Sequence, residues 1–131
     1  MGIVLIAEDE DKAFEEMFVE TLEEVGFKVI RAKSLGEAIS LFDENKENLR
    51  GVVVDGCLNN HGTLDGGELI EYIRAQGWDG IIIPASQSDD NNVRMVQLGA
   101  TKKPHASGFR AEKESAITML RREMRRAKIF A

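Results

Sequence analysis

The sequence predicts an α/β fold built on a doubly wound parallel sheet, and three observations carry that prediction. Short apolar runs of β type alternate with longer stretches whose apolar residues recur every three or four positions. The short runs are apolar nearly throughout, as in strands covered on both faces. Polar residues, most of them acidic, stand where successive runs end, and open sheets of this class bind ligands beyond the carboxyl ends of their strands.

The elements follow in order. Ile3-Val4-Leu5-Ile6-Ala7 reads as the first buried strand. Phe14, Phe18, Leu22 and Val25 keep helical spacing, and Gly26 is placed to end that helix. Phe27 to Ala32 reads as a second strand, and its Lys28 and Arg31 suit the edge of a sheet. Ser34-Leu35-Gly36-Glu37 matches a capping box ahead of a helix that turns Ala38, Leu41 and Phe42 inward. Gly51 to Val54 is the third strand and ends at Asp55; a loop rich in Gly, Asn and His follows from Gly56 to Gly67. Leu69, Ile70 and Ile73 form the stripe of the next helix, closed by Gly77, and Ile81-Ile82-Ile83 is the fourth strand. Ser86, Ser88 or Asp89 can cap a helix whose apolar residues are Val93, Val96 and Leu98, with Gly99 as its stop. Thr101-Lys102-Lys103 offers no apolar side chains where a fifth strand belongs, so that strand is expected to be short or remodelled.

At 131 residues, 43% hydrophobic and 31% charged, the chain suits one soluble domain spanning 1–131 with a core over 1–109. Its net charge of −6 is unevenly spread: residues 110–131 carry seven basic and three acidic side chains, and from about Glu112 they form a basic amphipathic helix. The formal charge argues against bulk nucleic-acid affinity, and the apolar face of that last helix calls for packing on the sheet first. One cysteine, Cys57, and two separate histidines, His61 and His105, exclude a disulfide framework and a four-ligand zinc site. No apolar run nears the roughly 18 residues of a membrane span, and a cytoplasmic location is expected.

Glu8-Asp9, Asp55, Ser86 and Lys103 all fall at or after strand ends. On one rim, clustered carboxylates would repel one another unless a cation lay between them or one kept its proton; a hard divalent ion fits best, and a nearly all-oxygen site suits Mg2+. Asp55 could then act as nucleophile toward a phosphoryl group, with the Ser86 hydroxyl and the Lys103 ammonium on other phosphoryl oxygens.

In these residues the sequence resembles the CheY-like receiver domains of two-component response regulators, over about residues 2–105. IVLIAEDE resembles the family's first strand and acidic pair, and VVVDG resembles its phosphoacceptor strand. Ser86 stands at the Ser/Thr position, Lys103-Pro104 resembles the family's lysine and proline, and Asp65-Gly66 resembles the turn before a helix. The resemblance implies a flavodoxin-like fold of five strands. It further implies Asp55 as phosphoacceptor, and Mg2+ held by Glu8, Asp9, Asp55 and the backbone carbonyl of Cys57. The implied partners are a histidine kinase or phosphotransfer protein and a downstream protein target; membranes are not among them, and homodimerisation is left open. No output domain follows within the 131 residues.

The chain departs from the family pattern in four places. The loop after Asp55 is about three residues longer than usual, Gln87 stands where a small residue is usual, the interval from Gly99 to Lys103 is about three residues short, and Thr101 replaces the aromatic switch residue two positions before the lysine. These departures keep open a second class of function, an interaction scaffold independent of phosphorylation. An α/β phosphohydrolase is disfavoured because Cys57 stands two residues after Asp55, where an acid–base aspartate would be needed, and no Gly-rich loop for a dinucleotide follows the first strand.

Overall fold

The computed structural model describes residues 2–8, 19–20, 22–24, 26–56, 58, 64–86, 88–101, 118 and 122. Its elements run β1 (Ile3–Ala7), β2 (Lys28–Ala32), α1 (Leu35–Asn45), β3 (Leu49–Val54), α2 (Asp65–Ala75), β4 (Ile81–Pro84) and α3 (Asp89–Gln97). The described residues of 19–24 are helical, so a helix lies between β1 and β2, as a parallel crossover requires. The strands form one parallel sheet in the order β2-β1-β3-β4. This is the doubly wound α/β architecture expected from the alternation.

Burial follows the strand pleat. Leu5, Ala7, Val52, Val54 and Ile82 face a large cluster completed by Ala38 and Phe42 of α1 and by Leu69, Ile70 and Ile73 of α2. Val4, Ile6, Val53, Ile83 and Ala85 face the other way, onto a cluster that includes Leu22. β1 and residues 51–54 of β3 are therefore buried on both faces, whereas β2, at the edge, exposes Lys28 and Arg31.

Local chemistry sets the boundaries. Ser34 caps α1 by accepting the Glu37 N–H, but the Glu37 carboxylate reaches past Ser34 to the N–H of Lys33, at 2.7 Å, so the reciprocal bond of the expected capping box lands one residue early. Ser88 is the cap of α3. Gly77 and Gly99 follow α2 and α3 with φ of 82° and 127°, a backbone region that favours glycine. Near the end of α2, the Arg74 guanidinium donates to the carbonyls of Gly99, Trp78 and Gly80 at 2.9–3.0 Å and lies over the Trp78 ring. Burial pulls this guanidinium below its ordinary value, opposed by the charge of Asp79. Trp78 in turn meets Phe42 edge to face.

Val93 and Val96 lie within α3, as expected, but they are 42% and 36% exposed, while Asn92 and Met95 are buried. The helix is rotated because the Asn92 carboxamide is tied inward, a bond that apolar spacing cannot reveal. Asp65-Gly66 is not a turn before a helix but the first two residues of α2.

Among the described residues, the backbone donors on the outer edge of β4 are already committed. The Ile82 N–H is bonded to the Thr101 hydroxyl and the Ile82 carbonyl to the Thr101 N–H, at 2.9 and 2.7 Å. Pro84, the next residue facing that side, has no N–H, and the Ser86 N–H goes to Asn92. Each outward donor from Ile82 to Ser86 is thus missing or taken. Residues 102–117, including the expected fifth strand and the start of the basic last helix, lie outside the described residues; Thr118 and Arg122 in that helix are helical and exposed.

Candidate functional site

The strand register brings three of the candidate residues to one rim. Ala7 of β1 pairs with Val54 of β3, and Val54 pairs with Pro84 of β4. Past those pairs the ladder continues: the Asp55 N–H donates to the Ala7 carbonyl at 2.9 Å, the Ala85 N–H to the Val54 carbonyl at 2.8 Å, and the Glu8 N–H to the Ala32 carbonyl at 3.0 Å. Glu8 and Asp55 are consequently neighbours across the β1–β3 pair, and Ser86 lies level with Gly56. A methyl group built on Gly56 would stand 3.2 Å from the Ser86 hydroxyl and 3.1 Å from the Asn91 side-chain amide. The hydroxyl therefore sits against the Asp55–Gly56 segment.

Glu8, Asp55 and Ser86 are 4%, 7% and 3% exposed. Carboxylates so far from bulk water are uncommon without partners, and their concentration at one sheet rim marks a place built for polar chemistry.

The amino end of α2 supports the Asp55 side of the rim. The Asp65 carboxylate, itself buried, accepts the Leu58 N–H at 2.7 Å, and the Gly66 N–H donates to the Gly56 carbonyl at 2.9 Å. Gly66 is pressed so closely on the end of β3 that a side chain there would collide with the Asp55 carbonyl oxygen. The start of the long loop is thus tied at Gly56 and Leu58 to the first two residues of α2.

Ser86 is supported from α3. Its N–H donates to Asn92 Oδ1 at 2.9 Å, its carbonyl accepts from Asn92 Nδ2 at 3.0 Å, and its hydroxyl accepts the Ser88 N–H at 3.1 Å. The hydroxyl proton remains available for an acceptor beyond the rim. Sequence reasoning misses Asn92 and the close approach of Gly66; the one available signal is an amide, in the run Asp89-Asp90-Asn91-Asn92, where the helix period wants an apolar residue.

Asp9, Cys57 and Lys103, also candidates for this rim, lie outside the described residues, as do Gln87, His61 and His105. Among the described residues no group of three His, Cys, Asp or Glu forms a metal cage. Glu8 and Asp55 nevertheless supply two neighbouring hard oxygen donors, the type and number of carboxylates that Mg2+ takes while keeping several waters.

No protein-family profile and no curated protein matches the sequence. Solved structures do. A response regulator receiver domain from Clostridium thermocellum superposes with a TM-score of 0.75 at 20% identity, covering 100% of both chains. The receiver domain of a Francisella response regulator gives a TM-score of 0.70 at 23% identity over 95% of this chain and 99% of that one. The fold is that of a response regulator receiver domain. The receiver fold also relates the chain to the response regulator TrrA of Thermotoga maritima, solved in complex with Mg2+ and BeF, with a TM-score of 0.69 at 23% identity over 92% of this chain and 99% of that one. No helix among the described residues of this receiver fold is long and apolar enough to cross a membrane.

Proposed function

We propose that the chain is a phosphoacceptor signalling switch in which Asp55 takes a phosphoryl group from the phosphohistidine of a histidine kinase or phosphotransfer protein, and the altered surface changes binding to a downstream protein. The observation that carries this reading is the alignment of Glu8, Asp55 and Ser86 on one rim of a receiver fold. A carboxylate oxygen of Asp55 attacks phosphorus, the P–N bond of the donor breaks, and the imidazole leaves with the electron pair and takes up a proton. Glu8, Asp9, Asp55 and the carbonyl of Cys57 would hold Mg2+, whose chemistry when bound is to offset charge on the transferring oxygens. The Ser86 hydroxyl donates to one phosphoryl oxygen, and the Lys103 ammonium approaches another. Transfer of this kind rests on positioning and electrostatics, so the chain needs no metabolite-turnover machinery.

Incubation with a small phosphodonor and Mg2+ should add one phosphate to the wild-type chain, visible by intact mass, and none to Asp55→Asn. Absence of an adduct with every donor tried would refute the reading. A phosphorylation-independent scaffold is the second reading, favoured by the committed donors along the outer edge of β4 and by Thr101 beside Ile82. At about 3.3 Å per residue, Ser86 lies roughly 13 Å further along β4, so Thr101 does not stand beside it as a switch residue would. The scaffold reading requires partner binding that ignores beryllofluoride and Asp55→Asn.

A further inference from the structure

Ser86 lies two residues past the end of β4, where backbone groups lose their ladder partners and need others. Both of its backbone groups are met by one side chain, the fully buried carboxamide of Asn92, which accepts from the Ser86 N–H and donates to the Ser86 carbonyl. Such a two-point bond fixes both the position and the rotation of the peptide. The hydroxyl is oriented by the same helix end, through the N–H of Ser88, whose own side chain caps α3. A buried amide on this face forgoes the stabilisation that an apolar residue would contribute, and the cost of leaving it half-satisfied is high. Its bonds are all the more telling because the residue one turn further on the same face, Met95, is apolar and buried.

We infer that Asn92 is the positioning residue for the Ser86 hydroxyl during phosphoryl transfer to Asp55, an inference that rests on the reading proposed above. It acts through Ser86, which it holds against the Asp55–Gly56 segment, where Ser86 Oγ lies 3.2 Å from the position of a Gly56 methyl. In Asn92→Asp the acceptor for the Ser86 N–H is kept, but the donor to the Ser86 carbonyl is replaced by a second oxygen. The peptide must turn to relieve the contact, and the hydroxyl turns with it.

The test is a double-mutant cycle on the rate of phosphate incorporation from phosphoramidate with Mg2+, using wild type, Asn92→Asp, Ser86→Ala and the double variant. Asn92→Asp should be slower by about tenfold, the order expected when a reacting group is misplaced by part of an ångström. In the Ser86→Ala background the same change should alter the rate by less than about twofold. Equal losses in both backgrounds would overturn the inference, since a merely structural role is indifferent to the hydroxyl. A wild type that takes no phosphate would refute the phosphoacceptor reading and this inference together, whereas incorporation with additive losses refutes the role of Asn92 alone. Should Asn92→Asp not fold, the side-chain amide resonances of Asn92 serve instead. They should move when beryllofluoride and Mg2+ are added to the wild type and stay in place in Ser86→Ala; movement in both, or in neither, overturns the inference.

Discussion

Gly66→Ala separates the close approach of α2 to the acceptor strand from ordinary helix propensity. The added Cβ would fall 2.9 Å from Val54 Cγ1 and 3.0 Å from the Asp55 carbonyl carbon, and nearer still to the carbonyl oxygen. Two of these three atoms are backbone, and that backbone is held by the Asp55 N–H bond to Ala7, so no flexible side chain can yield. Overpacking of this kind costs about 1–3 kcal/mol, and retreat of α2 would sacrifice the Gly66 N–H bond to Gly56, worth about 1 kcal/mol. Against this stands at most about 1 kcal/mol from replacing glycine by alanine in a helix. The clash wins, with a net loss of about 1–3 kcal/mol. Gly36 is the matched control: it is also the second residue of its helix, α1, and a methyl group added there would meet nothing within 4 Å beyond its chain neighbours and its own helix backbone. Gly36→Ala should therefore stabilise by about 0.5–1 kcal/mol. Thermal unfolding reads both, at about 3–5 °C per kcal/mol for a chain of this size. Gly66→Ala should also weaken beryllofluoride binding, because the Asp55 peptide must rotate. Two variants that both stabilise would refute the tight seating of α2 on Asp55.

Three further outcomes follow from the same structure. Arg74→Met should lower stability by about 1–3 kcal/mol in thermal unfolding, since three turn carbonyls lose a shared donor; an unchanged midpoint would argue against the brace. Thr101→Val should cost about 1–3 kcal/mol by orphaning the Ile82 N–H, while Thr101→Ser, which keeps the hydroxyl, should be milder. The single tyrosine, Tyr72, should titrate above its ordinary value, because its hydroxyl donates to Asp43, helped by desolvation and by the Asp43 charge. A raised folded-state value means that this bond contributes fully below the unfolded value of the phenol and is lost as pH rises through the folded one. Phenolate absorbance should show the shift, and Asp43→Asn should remove it.

How far the molecule can be read from its sequence depends on whether a feature is local. β1, β3 and β4 are legible because buried parallel strands are apolar throughout, and β2 because its charges mark an edge. The ends of α1, α2 and α3 are legible from Ser34, Ser88, Gly77 and Gly99, whose backbone roles are set by the residue type. The alignment of Glu8, Asp55 and Ser86 is legible only through topology, since their neighbourhood comes from register and not from spacing. The face of α3 misleads: Val93 and Val96 carry the apolar period, but the bond of Asn92 to Ser86 decides which side turns inward. Pro84 is equally silent in the sequence, because its missing N–H matters only once β4 is known to present that side to a further strand. Such long-range consequences of a single atom have no periodic signature.

Whether the ends of β1, β3 and β4 form one site for a phosphoryl group is decided by amide NMR during titration with beryllofluoride and Mg2+. The resonances of Glu8, Asp55 and Ser86 should move together, at one shared affinity, and Asp55→Asn should abolish all three changes. Shifts confined to other parts of the sheet, or unchanged in Asp55→Asn, would mean that this rim does not receive the phosphoryl group.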